Sequence, residues 1–210
     1  MNKFKKLLTA VLLLGALTSC GGTETSSDVQ QNTESTVVEN RELDATLVGI
    51  AEGKTCYLST VGQADSDIVN NVFKKAGLGT GYTAKNMLTA AEVEEGAVVF
   101  LTLGASSKGL GAAGVDEAHE AARAAAFASA AKEGKLTLIL FHVGGTPRRG
   151  ASSDPIIEAA FPGAKACFVV SSGNNDGFFT NLASTNSVDL YSIAKSVDLV
   201  DYAKGLYNKA

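Results

Sequence analysis

From residue 54 onward the apolar positions fall into two patterns that alternate along the chain. Residues 55–60, 97–103, 136–143 and 165–171 form short, continuous apolar runs rich in β-branched and aromatic side chains. Strands buried on both faces of a parallel sheet read this way. Between them lie helical stretches: 65–75, closed by Gly77; 116–132, closed by Gly134; and 155–160, opened by Asp154 and Pro155. Each carries a capping side chain, a proline in its first turn or a glycine just past its end, as helix boundaries require. Residues 81–87 and 188–193 are weaker strand candidates, 197–207 reads as a closing helix, and no internal repeat is visible.

Strand then helix, repeated with right-handed crossovers, predicts a doubly wound α/β three-layer sandwich of flavodoxin or Rossmann type. Its sheet should be mainly parallel, in the order 2-1-3-4-5. That order sets Cys56 and Cys167 on the first and fifth strands, too far apart to bridge, so both are expected as buried free thiols. Ligands of such sheets bind outside the strand carboxyl ends, at the switch point between the first and third strands. The four loops predicted there, 61–67, 104–114, 144–154 and 172–177, are polar and glycine-rich. Those at the opposite end, such as Glu133-Gly-Lys135 and Phe161-Pro-Gly-Ala164, are short and plain. Function gathers on loops more than in cores, so this asymmetry directs the search to the carboxyl end.

The start of the chain has a different logic. Met1-Asn-Lys-Phe-Lys-Lys6 is a basic head, and the apolar run at 7–17 is too short for a permanent membrane span. Residues 1–19 therefore read as an export signal. Leu17-Thr-Ser-Cys-Gly-Gly22 resembles the bacterial lipobox, in which the cysteine thiol is lipidated, so Cys20 is expected to become a lipid-bearing N-terminus on the outer side of a membrane. Residues 20–46 read as that anchor followed by a Ser/Thr-rich acidic tether with little to bury, and 47–210 as the folded domain. As a flexible coil the tether would reach roughly 28 Å.

The chain has 210 residues and a net charge of −4, with 22 glycines and three cysteines. Removing the three signal lysines leaves −7, of which the domain carries only −2. No basic surplus exists to neutralise a nucleic acid backbone, and none is expected as a partner. No cofactor or metal is expected either: no P-loop, nucleophile elbow, His-x-x-x-His or Cys-x-x-Cys is present.

Candidate chemistry lies in the carboxyl-end loops. After the third strand, Ser106, Ser107 and Lys108 precede Gly109 and Gly111, offering hydroxyls, a cation and approachable backbone amides to an anion, ahead of a helix near Asp116. On the next loop Arg148 and Arg149 supply two guanidinium forks for carboxylate or phosphate, or else pair with Asp154 or Glu158. Gly62 and Gln63 on the first loop, and Asn174 and Asn175 on the last, complete the expected contacts. His142, at a strand end, is the candidate general base if the domain is catalytic, with His119 the second histidine. Tyr191-Ser-Ile-Ala-Lys195 with the loop at 105–111 mimics the short-chain dehydrogenases, but the loop follows a later strand and the tyrosine falls too close downstream.

Gly104-Ala-Ser-Ser-Lys-Gly-Leu-Gly-Ala-Ala-Gly114, His142-Val-Gly-Gly-Thr-Pro-Arg-Arg-Gly-Ala-Ser-Ser-Asp154 and Gly173-Asn-Asn-Asp-Gly-Phe-Phe-Thr180, with Ser59-Thr-Val-Gly-Gln-Ala-Asp65, resemble a bacterial family of exported, often lipid-anchored proteins. The resemblance runs from about 54 to 207. It implies a shared fold and cleft and adds no reaction.

The resulting expectation is a membrane-anchored, extracytoplasmic α/β domain that binds a small anionic solute at the strand carboxyl ends and presents it to a transporter or envelope protein. An extracytoplasmic hydrolase using the same cleft is one alternative. A protein-docking module with an apolar patch near Phe178 and Phe179 is the other.

Overall fold

The computed structural model describes residues 41–210. The expected export signal, Cys20 and most of the tether lie outside the described residues. Six strands form one all-parallel sheet: β1 (Cys56–Val61), β2 (Thr83–Ala84), β3 (Ala97–Leu103), β4 (Leu136–His142), β5 (Ala166–Val170) and β6 (Asp189–Ile193), in the order 2-1-3-4-5-6. The predicted order is thus present, extended by one strand from the weak candidate at 188–193. The other weak candidate contracts to two exposed residues paired only with β1, since no apolar side chain anchors it on either face.

The helices are α1 (Ser66–Lys75), α2 (Ser107–Ala113), α3 (Glu117–Lys132), α4 (Asp154–Ala160), α5 (Phe178–Asn186) and α6 (Leu199–Leu206). Alternate strand residues serve two cores. Val98, Phe100, Phe141 and Phe168 pack with Val69 and Phe73 of α1 and with Leu199 and Leu206 of α6. Val99, Leu101, Leu138, Leu140 and Val169 meet Phe127 of α3, Ile156 and Ile157 of α4, and Phe179 of α5. On the first face the register sets Phe141 against Phe168 and Phe168 against Tyr191. Their rings stack with centroids 5.2 and 4.7 Å apart, fixing the strands to one another as well as to the helices.

Residues 41–46 lie against this domain. The Arg41 guanidinium sits 4.0 Å above the Tyr191 ring, the Asp44 carboxylate accepts from the Tyr191 hydroxyl at 2.8 Å, and Leu43 packs on the first core. Two elements depart from the sequence reading. The stretch 104–114 is not loop throughout: the Ser106 hydroxyl caps α2 by accepting from the Gly109 N–H at 3.3 Å, and Gly114 ends the helix at φ 69°. Helix α5 lies in a stretch to which the sequence patterns assign no element, and its Thr, Asn and Ser are weak helix formers. It forms because Phe179 and Ala183, one turn apart, bury against the second core.

Cys56 and Cys167 are both free and buried. Burial pushes the Cys167 thiol far above its ordinary value and raises that of Cys56. Neither thiol should therefore react with iodoacetamide in the folded protein, and a reductant should leave the thermal midpoint unchanged. A drop in midpoint on reduction would contradict the strand order.

Candidate functional site

The loops after β1 and β3 close on each other at the switch point. The Ser106 N–H donates to the Gly62 carbonyl at 2.9 Å, and Gln63 pairs with Ala105 in an isolated antiparallel bridge. The approach is close enough to exclude side chains: a Cβ on Gly62 would lie 2.2 Å from the Gly104 carbonyl oxygen, and one on Gly109 would lie 2.1 Å from that of Gln63. Gln63 (φ 57°) and Asp65 (φ 60°) are both held in the left-handed region without being glycine. Such conformers cost on the order of 1 kcal/mol each and need surrounding contacts to persist.

Those contacts come from below and above. Beneath the loop Glu120 and Arg123 of α3 form an ion pair with side chains 0% and 4% exposed. One carboxylate oxygen of Glu120 accepts from the Gly62 N–H (2.6 Å), the Gln63 amide (3.0 Å) and Arg123 Nη2 (2.7 Å), and the other accepts from Arg123 Nε (3.0 Å). Arg123 also donates to the carbonyls of Leu88 (2.8 Å) and Thr60. Burial, the largest single influence, raises the Glu120 carboxyl. The Arg123 hydrogen bonds and the Gly62 N–H, with the Arg123 charge and Gln63, together outweigh it and leave the group below its ordinary value. Above the loop Arg148 Nε bonds both Asp65 oxygens at 3.0 and 3.3 Å.

The crevice between β1 and β3 is therefore filled by the protein's own polar groups. Open space lies beside it, in a pocket of about 160 Å³ at the carboxyl ends of β4 and β5, lined by Thr146, Arg149, Ser172, Gly173, Asn175 and Asp176. Arg149 is its centre. Its Nε and Nη2 bond Asp154 at 2.8 and 3.2 Å, its Nη1 and Nη2 bond Asp176 at 3.1 and 3.0 Å, and Nη1 also reaches the Gly173 carbonyl. Its guanidinium lies 3.9 Å over the Phe178 ring. Phe179 is wholly buried.

The other expected contacts are distributed between structural roles and solvent. Gln63 serves Glu120, Ser106 caps α2, and Asn174 caps α5 by accepting from the Phe179 N–H at 2.8 Å. Ser107, Lys108, Gly111 and Asn175 face solvent, and Lys108 makes no ion pair among the described residues. The sequence patterns single out neither Glu120 and Arg123 as a buried pair nor Asp65 and Asp176 as arginine partners. The visible signal was a Glu-x-x-Arg pair in line with Ala124 and Phe127 on a helix of which nine of sixteen residues are alanine. Two larger grooves, of about 390 Å³ beside Arg41 and Asp201 and about 460 Å³ between Ala90 and α3, gather none of these residues.

His142 is wholly buried against Phe179, with its ring centroid 4.8 Å away. Its Nδ1 faces the Leu103 carbonyl at 3.1 Å and its Nε2 the Gly145 carbonyl at 3.2 Å. A neutral ring has one N–H and donates to only one of them. Burial lowers its pKa, and outweighs the two carbonyls that favour the charged form.

The fold and its polar rim define a doubly wound, all-parallel α/β domain with its side-chain chemistry concentrated at one end of the sheet. The family described as a domain of unknown function, DUF6305, matches over residues 54–207, and the chain belongs to it. That span includes all four carboxyl-end loops. No curated protein and no solved structure matches the chain.

Arg123→Met should destabilise the domain by about 3–5 kcal/mol in denaturant unfolding, because it strands the Glu120 carboxylate without its counter-ion. A loss below 1 kcal/mol would show that the pair does not hold the loop. For His142 the folded state refuses a proton that the unfolded chain accepts. Stability should therefore fall as pH drops below the ordinary histidine value of about 6.5, by up to about 1.4 kcal/mol per pH unit. His142→Gln should lack that component, so the gap between the two proteins should narrow from pH 7 to pH 5; parallel curves would contradict the assignment.

Proposed function

We propose that this protein is a lipid-tethered extracytoplasmic domain that binds a small anionic solute at the carboxyl ends of its parallel strands and presents it to a transporter or envelope protein. The observation that carries this reading is the gathering of Lys108, Arg148 and Arg149 at one end of one sheet, beside a small open pocket lined by Arg149 and Asp176. Lys108 is exposed, and Arg149 is rigidly held with an edge toward the pocket. The lipobox-like Leu17-Thr-Ser-Cys-Gly-Gly22, with a basic head and a short apolar run before it, supports the tether.

The charge balance narrows what can bind. Arg148 and Arg149 already face Asp65, Asp154 and Asp176, so the end of the sheet carries no large positive field. Affinity must come from specific pairing with a guanidinium edge and from Lys108, which favours a compact, singly or doubly charged solute over a polyanion.

The test is the thermal midpoint of the full chain against carboxylates, phosphates, nucleotides and amino acids, with Lys108→Ala and Arg149→Lys alongside. A ligand at a hundredfold over its dissociation constant should add about 2.7 kcal/mol to folding. The expected result is a shift with one anionic class that both variants lose. No shift with any compound would overturn the solute-binding reading.

A further inference from the structure

We infer that the outer edge of Arg149, formed by Nη1 and Nη2, is a carboxylate-binding position that the Asp176 side chain itself occupies, and that a small carboxylate binds by replacing it. The inference rests on the anion-binding reading above and names the chemical class.

Arg149 offers two forks, and the two carboxylates that fill them differ in how they are held. The inner fork, Nε with Nη2, meets Asp154, whose Oδ1 also accepts from the Gly150 N–H at 2.9 Å and which opens α4. The outer fork meets Asp176 in two near-equal contacts of 3.1 and 3.0 Å. The Asp176 side chain is 62% exposed, whereas that of Asp154 is 26% exposed and that of Arg149 is 11% exposed. The guanidinium cannot leave: it is fixed by Asp154, by the Gly173 carbonyl and by the Phe178 ring beneath it. Asp176 can, because beyond Arg149 its side chain accepts only the Phe178 N–H, at 3.2 Å. An ion pair so exposed on one side contributes little to stability, so exchange for another carboxylate costs little.

The pocket in front of this fork limits the ligand. At about 160 Å³ it equals roughly five water molecules at about 30 Å³ each. It falls below the roughly 300–1,000 Å³ of sites that enclose whole drug-sized ligands. It therefore takes a carboxylate head with a few further atoms, and the largely apolar surface that Thr146, Ser172, Gly173 and Asn175 present around the fork suits a short methylene stem behind that head. The planar fork matches two coplanar oxygens, the geometry that Asp176 already shows.

The experiment is isothermal titration of the full chain with succinate and, separately, with inorganic phosphate, on the wild type, Asp176→Asn and Arg149→Lys. Asp176→Asn keeps an oxygen for the Phe178 N–H and removes the competing charge. It should bind succinate about three- to tenfold more tightly than the wild type, and Arg149→Lys should lose that binding. Succinate binding that is unchanged or weaker in Asp176→Asn overturns the inference, since that exposed substitution leaves the rest of the pocket in place. Phosphate bound more tightly than succinate overturns the carboxylate class while the anion reading stands. Succinate that binds the wild type and survives Arg149→Lys places the anion elsewhere on the rim. No binding of either probe to the wild type or to Asp176→Asn overturns both readings.

Discussion

The buried pair of Glu120 and Arg123 ties four parts of the chain to one point. Its hydrogen bonds reach the end of β1, the left-handed turn at Gly62 and Gln63, the Leu88 carbonyl ahead of β3, and α3 itself. Removing two charges from water costs several kcal/mol each, and only a fully bonded arrangement recovers it. Here both carboxylate oxygens and the guanidinium find partners, so the pair fixes a loop that would otherwise relax from its left-handed conformers. The charges also cancel inside the crevice that parallel sheets ordinarily leave for a ligand.

That constraint moves the accessible chemistry sideways. With the space between β1 and β3 filled by Gln63, Glu120 and the closed glycine turns, an open pocket lies instead at the ends of β4 and β5. Arg148 covers the first loop through Asp65, while Arg149 is braced between Asp154, Phe178 and Gly173 and turns one edge outward. His142 supports the same region from within, one ring nitrogen against the end of β3 and the other against Gly145, at the start of the arginine loop. A rigid arginine with a releasable partner is a recognition device of modest strength. The role proposed above, a tethered domain that hands a solute on, has use for such strength, since tight retention would oppose release.

The sheet was legible because parallel strands buried on both faces leave continuous apolar runs. The runs at 97–103 and 136–143 correspond closely to β3 and β4, and the caps and glycines marked α1, α3 and α4. Helices α2 and α5 were not legible, since one contains two glycines and the other several weak helix formers. Their formation depends on Gly109 seating against Gln63 and on Phe179 entering the core. Of the candidate site, the end of the sheet and its cations could be read from sequence. Pairing could not: Arg148 finds Asp65 across 83 positions and Arg149 finds Asp176 across 27. Such separations are set by the strand order and loop closure, and no local pattern encodes them.

The central claim is that solute recognition occurs at the carboxyl ends of β4 and β5. Amide chemical-shift mapping of the isotopically labelled chain during a succinate titration tests it most directly. The account predicts saturable shifts concentrated at Gly145, Arg149, Gly173 and Asn175, with α6 and the turn at Glu133 and Gly134 unmoved. Shifts centred on the opposite end of the sheet or on α6, or no saturable shift at all, would contradict it.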